Sequence, residues 1–453
     1  MLIRGLKALL LCAVFALIAS AAPKLAPAPP MGWNSWDAYG LTIDEAQFRA
    51  SAQIQAGLKS YGWNYAVIDE GWYFVDPQAR PEARKSSWDE NGRLIPDPVR
   101  FPSSARGAGF KPLADWTHSL GLKFGIHLVR GIPKGVADAN LPVANSSFHA
   151  AEAADKTDLC PWDNGNYGVR DTPAGQAFYD SMVRLYAKWG VDFLKVDCIS
   201  DHPYKGAEIR MIATAIKKAG RPIVLSLSPG PTNLSHAAEV AEYSQMWRIA
   251  DDIWDGWDFR PRTFPNGILS AFDNLAKWAK YAKPGNWPDA DMLPWGSLTP
   301  HPGWGEPRKS NITQEEERTQ FTLWAVSRSP MILGANLTKL DDFTRALIAN
   351  KEVIAIDQTA VSSAEVPSDA ADAARVRVWL AATGGKQTKR YIAVFNLQAT
   401  ALQKDIAWPA PMTAGAHAAY DVWGQRSVPS AAALHVELPP HGCAVFRVEG
   451  IGK

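Results

Sequence analysis

Short apolar runs alternate with longer helical patterns along residues 33–350, which is typical of repeated βα units around a parallel sheet. The apolar runs predict strands at residues 65–68, 123–126, 191–194, 223–227 and 244–247. Apolar positions spaced three and four residues apart predict helices at residues 43–58, 175–189, 207–218 and 270–281. The pattern therefore predicts an α/β domain in which strands and helices alternate.

Polar side chains follow each predicted strand, at the point where the strand ends. They are Asp69 and Glu70, His127, Lys195 and Asp197, Ser228, and Arg248 with Asp252. Such residues meet in one pocket if the strands close into a barrel. We therefore predict a (β/α)8 TIM barrel over residues 31–358. The segment 130–171 is longer than an ordinary connection, and we expect it to be loop at the rim of the pocket.

The pattern of apolar and polar residues changes after residue 350. Short alternating runs rich in valine and aromatic residues occur at 375–380, 391–397, 419–423 and 444–448, with turn signals between them. This pattern predicts a C-terminal antiparallel β-sandwich over residues 359–453. It carries no concentrated group of reactive side chains, so we expect the chemistry in the barrel.

Charge and composition narrow the possible partners. The 47 basic and 46 acidic residues give a net charge of +1, which argues against nucleic acid or an anionic membrane as the main partner. The 19 tryptophans offer flat rings for stacking on sugars, although we expect most of them in the core. The nine histidines show no ligand-like spacing and are expected at the surface or the rim. We therefore predict neither a metal nor a cofactor.

The N-terminus has the features of a secretory signal. Arg4 and Lys7 precede an apolar run at residues 8–19, and small residues follow at 19–21. We predict a signal peptide over residues 1–21, a Pro/Ala-rich lead-in over residues 22–30, and export to the periplasm or the medium without a membrane anchor.

Three cysteines remain after removal of the signal, and an odd number in an exported protein allows one disulfide and one free thiol. A Cys160–Cys198 bridge would tie a long loop to the strand that ends at Asp197. The alternative is that both thiols are reduced and buried.

Two aspartates carry the candidate chemistry. Asp197 ends a predicted strand two residues after Lys195, and Asp252 follows Arg248 by four residues. An isolated aspartate in such a place can simply cap the next helix. Two carboxylates from different strand ends, each with a cation in reach, are the minimum equipment for cleaving a glycosidic bond.

Eight segments in order resemble glycoside hydrolase family 27, the family of α-galactosidases and α-N-acetylgalactosaminidases. They lie at residues 30–36 (PMGWNSW), 67–72 (VIDEGW), 121–127 (GLKFGIH), 194–198 (LKVDC), 247–253 (WRIADDI), 284–293 (PGNWPDADML), 329–333 (SPMIL) and 352–358 (EVIAIDQ). The resemblance implies a TIM barrel with a C-terminal β-sandwich and a retaining double-displacement mechanism. It implies an exo-glycosidase that removes terminal α-D-galactosyl residues from an oligo- or polysaccharide.

The resemblance also assigns roles to the two acids and the cations beside them. Asp197, in the Lys-x-Asp motif, would be the nucleophile, and Asp252 rather than Asp251 would be the acid/base. Lys195 would contact sugar hydroxyls, and its charge would help to keep the pKa of Asp197 low. Arg248 would bind the substrate near C2 and help to hold the site.

Three further residues are assigned to the sugar pocket by the same resemblance. Asp69 matches the first of two family carboxylates that grip the 4- and 6-hydroxyls, and Trp36 would form an apolar wall. Asp291 would lie near the pocket, where a structural role is equally open.

The chain departs from the family pattern in the residues that recognise the sugar. Glu70 stands where the second aspartate is usual, His127 stands where a tyrosine is usual, and Ser228 stands where a glutamate recognises the 2-hydroxyl. Both catalytic acids are retained. α-N-Acetylgalactosaminidase and β-L-arabinopyranosidase activity therefore remain alternatives to α-galactosidase, and we hypothesise that Glu70 and Ser228 set the sugar specificity.

Two other classes of protein stay open. A carbohydrate-binding barrel without activity would have no need of both Asp197 and Asp252. A phosphate-binding barrel enzyme would need a glycine-rich loop late in the barrel, and residues 333–336 (LGAN) are a poor one.

Overall fold

The computed structural model describes residues 24–80, 83–298, 306–385, 388–410, 412 and 417–449. The predicted signal peptide and the first two residues of the lead-in lie outside these ranges. Within them, no helix combines the length and the apolar character that crossing a membrane requires.

Eight parallel strands form the central sheet of the first domain. In chain order they are β1 (Met31–Asn34), β2 (Tyr65–Ile68), β3 (Lys123–Val129), β4 (Phe193–Asp197), β5 (Val224–Leu227), β6 (Met246–Arg248), β7 (Trp287–Asp289) and β8 (Met331–Leu333). Each pairs with its sequence neighbour from β1 to β7, and β8 pairs with β1. A parallel bridge between Leu293, just after β7, and Leu333 of β8 completes the ring.

One principal helix follows each strand and covers the outside of the sheet. These helices are Glu45–Ala56, Lys111–Ser119, Pro173–Trp189, Gly206–Ala219, Ala237–Tyr243, Ile268–Trp278, Gln314–Ser327 and Lys351–Thr359. Because helices cover one face and side chains fill the other, strands such as β2 and β5 are apolar or small and fully buried. The (β/α)8 barrel predicted from the alternation is confirmed.

Local sequence signals explain where the barrel helices begin and how closely the strands approach. The Asp44 side chain accepts from the Gln47 amide, and the Gln47 side chain accepts from the Asp44 amide, so a capping box starts helix Glu45–Ala56. In β1, a Cβ on Gly32 would lie 2.2 Å from the carbonyl oxygen of Tyr65. Only glycine fits there, which explains its place in the first sequence motif.

Segment 130–171 is folded, whereas the sequence suggested loop. It contains helices Lys134–Asp138 and Ala150–Ala153 and a three-stranded antiparallel sheet. The strands of that sheet are Ile132–Pro133, Ala154–Leu159 and Asn166–Val169. The strands are short and partly exposed, so they lack the apolar alternation that a sequence pattern detects.

The C-terminal domain is an antiparallel β-sandwich, as predicted. Its larger sheet has six strands in the order β9 (Ala360–Glu365), β10 (Val376–Thr383), β11 (Arg390–Asn396), β16 (Cys443–Glu449), β13 (His417–Asp421) and β14 (Arg426–Ala431). Strands β12 (Leu402–Ala407) and β15 (Ala433–Leu438) form the second sheet. Buried side chains of both sheets, among them Val394, Leu434 and Phe446, fill the space between.

Helix Gln314–Ser327 joins the two domains. Nearly all of its residues from Glu316 onward are buried, because the barrel covers one side and the larger sheet of the sandwich covers the other. Trp423 donates to the Thr322 hydroxyl at 3.0 Å, and the rings of Trp257 and His441 stack at 4.0 Å. The sandwich thus packs against the barrel wall.

Candidate active site

Asp69, directly after β2, is buried in a set of hydrogen-bond donors. Its Oδ2 accepts from Lys195 Nζ at 2.8 Å and from Asn34 Nδ2 at 2.6 Å, and its Oδ1 accepts from the Glu70 amide at 2.8 Å. Burial acts to raise the pKa of Asp69, but the charges of Lys195 and His127 outweigh it and hold that pKa well below its usual range. Asp69 is therefore ionised at neutral pH.

Lys195 is paired with Asp69 rather than with Asp197. Its ammonium group is mostly buried, and burial acts to lower its pKa, but the charges of Asp69 and Asp197 raise that pKa above its usual value. The expectation that Lys195 helps to keep the pKa of Asp197 low agrees with its charge, which lowers that pKa. The contribution of His127 to Asp197 is larger than that of Lys195.

His127 is the principal partner of Asp197. Its Nε2 lies 3.4 Å from Asp197 Oδ2 and 4.0 Å from Asp69 Oδ1. Burial acts to raise the pKa of Asp197, but the hydrogen bond and charge of His127, together with Lys195 and the Cys198 amide, lower it below the usual value. His127 itself is fully buried, so the expectation that the histidines lie at the surface or rim is wrong for this residue. The interior of the barrel leaves its ring no route to solvent.

Arg248, at the end of β6, holds two carboxylates. Its Nη1 lies 2.8 Å from Asp291 Oδ1, and its Nη2 lies 3.2 Å from Asp252 Oδ1 and donates to the Ala250 carbonyl. The guanidinium is buried, whereas the Asp252 side chain is 39% exposed. Arg248 thus fixes a carboxylate that solvent and substrate can reach.

Asp291 is the buried carboxylate that holds Arg248 in place. It accepts from the Ile253 amide at 2.7 Å and has a φ of 92°, a conformation rare for a residue with a side chain. Burial raises the pKa of Asp291, and Arg248 opposes that effect. Its contacts support the structural role that the sequence left open.

Asp251 and Asp252 point to different surroundings. Asp252 lines the large cavity at the mouth of the barrel, whereas Asp251 lies 3.7 Å from His202 Nε2. The structure therefore favours Asp252 over its neighbour as the acid that faces a substrate.

Glu70 lines the same cavity and pairs with a second carboxyl group. Burial, the charges of Asp163, Asp197 and Asp69, and a hydrogen bond with Asp163 raise the pKa of Glu70 well above its usual value. Glu70 therefore holds a proton more readily than an ordinary glutamate, and it shares a hydrogen bond with Asp163. The cavity has a volume of about 1000 Å³, and Trp36 forms part of its wall.

Ser228, at the end of β5, lies in the barrel interior. It is 2% exposed and lines a cavity of about 20 Å³ together with Lys195, Arg248 and Asp291. A space of this size accommodates about one water molecule. Ser228 thus lines this small internal space and is not among the residues that line the large cavity.

A disulfide joins Cys160 to Cys198, the residue after Asp197. This resolves the choice that the sequence left open, and Cys443 is the buried free thiol. Arg130 supports the same junction, since its Nε donates to the Cys198 carbonyl and its guanidinium pairs with Asp158 and Glu208. The folded segment that carries Asp163 is therefore fastened to β4.

The sequence did not single out two acids that belong to the site. Asp37 is buried, its Oδ2 has no hydrogen-bond partner among the described residues, and burial and Asp291 raise its pKa well above the usual value. Its position one residue after Trp36 in the first motif was the available signal. Asp163 lies in segment 130–171, and only the fold brings it to Glu70.

The geometry supplies two kinds of carboxylate at one end of the barrel. Asp197 is held ionised at the end of β4, and its charge is close enough to Glu70, which lines the cavity, to raise the pKa of that residue. Asp252 lines the cavity, is accessible and is oriented by Arg248. An ionised carboxylate and an accessible second one are the groups that glycoside hydrolysis requires.

Comparison with known proteins agrees with this chemistry. The family model described as "Alpha galactosidase A" matches residues 28–137 and 160–359, and the model "Alpha galactosidase C-terminal beta sandwich domain" matches residues 373–448. The α-galactosidase A of Cellvibrio japonicus is 32% identical over 347 residues, covering 74% of this chain and 68% of that protein.

Solved structures extend the likeness across both domains. A β-L-arabinopyranosidase from Geobacillus stearothermophilus superimposes with a TM-score of 0.88 at 38% identity, covering 95% of this chain and 98% of that one. A variant of that enzyme has been solved in complex with arabinose. A Bacillus halodurans protein provisionally named as an α-N-acetylgalactosaminidase gives a TM-score of 0.81 at 36% identity, with coverage of 94% and 98%. The barrel, the sandwich and these matches together show that the chain is a glycoside hydrolase and belongs to family 27.

Proposed function

We propose that this protein is a retaining exo-glycosidase that removes a terminal pyranosyl residue with the ring configuration of α-D-galactose. Asp197 is the nucleophile and Asp252 the acid/base. The observation that carries the proposal is that each acid has its own partner at one barrel mouth: His127 Nε2 lies 3.4 Å from Asp197, and Arg248 Nη2 lies 3.2 Å from Asp252. α-D-Galactosides and β-L-arabinopyranosides share this configuration, and both activities occur among the relatives.

Glu70 favours the arabinopyranoside of these two sugars. β-L-Arabinopyranose is the same ring without the hydroxymethyl group at C5. Glu70 carries one methylene more than the family's aspartate, and its bond to Asp163 holds the longer side chain inside the cavity. A longer side chain that is also hydrogen-bonded to Asp163 leaves less room for a hydroxymethyl group.

The first experiment is hydrolysis of nitrophenyl α-D-galactoside, β-L-arabinopyranoside, α-N-acetylgalactosaminide and α-glucoside. Activity on one of the first two should vanish in Asp197→Asn. Asp252→Asn should reduce it far more than the neighbouring Asp251→Asn does. NMR of the first-formed sugar anomer should show retained configuration, and an inverted product would refute the mechanism.

A pair of variants tests the role of Glu70. Glu70→Asp shortens the side chain, and the ratio of kcat/KM for galactoside over arabinopyranoside should rise by about tenfold, the value of one methylene in a pocket. Glu70→Gln keeps the length and removes the acid, so the ratio should stay near that of the wild type. An unchanged ratio in Glu70→Asp would exclude Glu70 as the discriminating residue. Glu70→Asp is a sharper test than Ser228→Glu, because the 20 Å³ beside Ser228 leaves no room for a carboxylate.

We also propose export of the protein. The disulfide between Cys160 and Cys198 supports this, since such bonds persist in oxidising compartments. Sequencing the N-terminus of the mature protein should find a start near residue 22, and an intact Met1 on cell-associated protein would contradict it.

A further inference from the structure

The cavity beyond the catalytic acids has an unusual distribution of charge. Its wall includes Arg84 and Lys85 from one segment and Lys134 from the folded segment 130–171. Among the described residues, none of the three forms an ion pair. The Arg84 guanidinium lies over the Phe74 ring at 5.7 Å, and Lys134 Nζ lies over the Tyr167 ring at 5.5 Å.

The acids of the same cavity do not neutralise this wall. Asp252 is paired with Arg248, and Glu70 is hydrogen-bonded to Asp163. Among the described residues, none of these three acids forms an ion pair with Arg84, Lys85 or Lys134. A cluster of like charges lined by low-dielectric aromatic walls attracts the opposite charge from solution.

The cavity is also larger than one sugar needs. Its volume of about 1000 Å³ is at the upper end of ligand pockets, about 300 to 1,000 Å³. Two exposed indole rings, Trp88 at 37% and Trp162 at 48%, also line it. Exposed indole rings present flat faces on which a second sugar can stack.

We propose that this wall binds the leaving group of the substrate, and that the leaving group is an anionic sugar. Arg84, Lys85 and Lys134 contact its carboxylate or sulfate, and Trp88 or Trp162 stacks on its ring. The inference rests on the proposed exo-glycosidase activity and specifies the other side of the bond that is cleaved. The natural substrate is then an acidic oligo- or polysaccharide with neutral terminal sugars.

The test compares matched disaccharides. The terminal sugar preferred in the nitrophenyl panel is linked to glucuronic acid, to glucose, or to glucose 6-sulfate. At low salt, kcat/KM for either acidic disaccharide should exceed that for the glucose compound by about tenfold, since each partly hydrated ion pair contributes about two- to fivefold. Salt screens exposed charges, and the Debye length is about 10 Å at 0.1 M salt and shorter above it. The advantage of the acidic disaccharides should therefore shrink at about 0.3 M NaCl.

Variants locate the effect on the wall. The triple substitution Arg84→Gln, Lys85→Gln and Lys134→Gln should bring the ratio of acidic to neutral kcat/KM close to one. Lys217→Gln is the matched control, because Lys217 is an exposed lysine near the C-terminus of helix Gly206–Ala219, at the opposite mouth of the barrel. Its ratio should equal that of the wild type. Thermal unfolding of each variant checks the fold.

The outcomes separate the two proposals. A preference for the glucuronide identifies a carboxylate as the ligand, and a preference for the sulfated sugar identifies a sulfate. A wild-type ratio near one, or a ratio that the triple substitution leaves unchanged, overturns the inference. If no disaccharide or nitrophenyl glycoside is cleaved, the proposed function fails. Calorimetric titration of Asp197→Asn with the acidic and neutral disaccharides then still decides whether the wall selects an anion.

Discussion

Replacing Lys195 by methionine should destabilise the barrel and impair the site at once. The side chains of Lys195 and Asp69 are 13% and 3% exposed, and their charged atoms lie 2.8 Å apart. Loss of one member of a buried ion pair leaves a charge without a partner and costs about 3 to 5 kcal/mol. Because Lys195 keeps some contact with solvent, we expect the free energy of unfolding to fall by about 3 kcal/mol, the lower end of that range. Methionine retains most of the volume, so the loss reports charge rather than packing.

A double-mutant cycle isolates the interaction. Lys195→Met with Asp69→Asn removes both charges, and the double variant should be more stable than Lys195→Met alone by about 2 kcal/mol. Urea unfolding followed by tryptophan fluorescence gives each value. Lys218→Met is the surface control, since its pair with Asp180 is half exposed at the lysine and should contribute at most about 1 kcal/mol.

The pH dependence of the free energy of unfolding of the same variants tests whether ionised Asp69 causes the loss of stability. The pKa of Asp69 is depressed in the folded protein, so the contribution of the pair is complete above the usual aspartate pKa of about 4 and is lost as the pH falls. In Lys195→Met the buried carboxylate takes up a proton in acid, which relieves its cost. The stability curves of wild type and variant should therefore converge below about pH 4. A deficit that is equal at pH 7 and pH 3, or single and double variants of equal stability, would refute the reasoning.

Three further substitutions test the framework of the site. Cys160→Ala should lower the free energy of unfolding by about 3 to 4 kcal/mol, because the bridged cysteines are 38 residues apart; urea unfolding without a loss would contradict this entropic argument. Arg130→Met leaves Glu208 buried without its cation and should cost about 3 to 5 kcal/mol, part of which Glu208→Gln recovers; equal midpoints for the single and double variants would exclude the ion pair as the cause. Gly334→Ala would place a Cβ 1.7 Å from Asp37 Oδ2, so soluble yield and thermal midpoint should fall, and Asp37→Ala should restore them in part; a Gly334→Ala protein as stable as the wild type would show that the site can relax.

The regular elements were accessible from the sequence because their signal is local. Strand β2 was predicted at its observed bounds, and helix 207–218 is observed as Gly206–Ala219. Burial on both faces makes such strands continuous apolar runs. Each helix is covered on one face, so its apolar residues recur every three or four positions. Segment 130–171 was missed as a folded unit, since its strands are short and its stability comes from Arg130, the disulfide and packing on β4.

The arrangement of charges at the site was less accessible. The order of motifs brought Asp197 and Asp252 to one mouth of the barrel, but spacing along the chain suggested that Lys195 is the partner of Asp197. The structure pairs Lys195 with Asp69 and places the buried His127 against Asp197. Neighbouring strands are staggered around a barrel, and so the closest side chain comes from β3 rather than from the same strand.

The sequence by itself determined the alternation of strands and helices, the sandwich, the family and the two candidate acids, because each rests on residue types at fixed spacings along the chain. Only the tertiary structure decided which charges pair, that Glu70 is hydrogen-bonded to Asp163, and that Arg84, Lys85 and Lys134 line one cavity. Those properties depend on distances and burial between segments that are remote in the chain, and no local pattern encodes them.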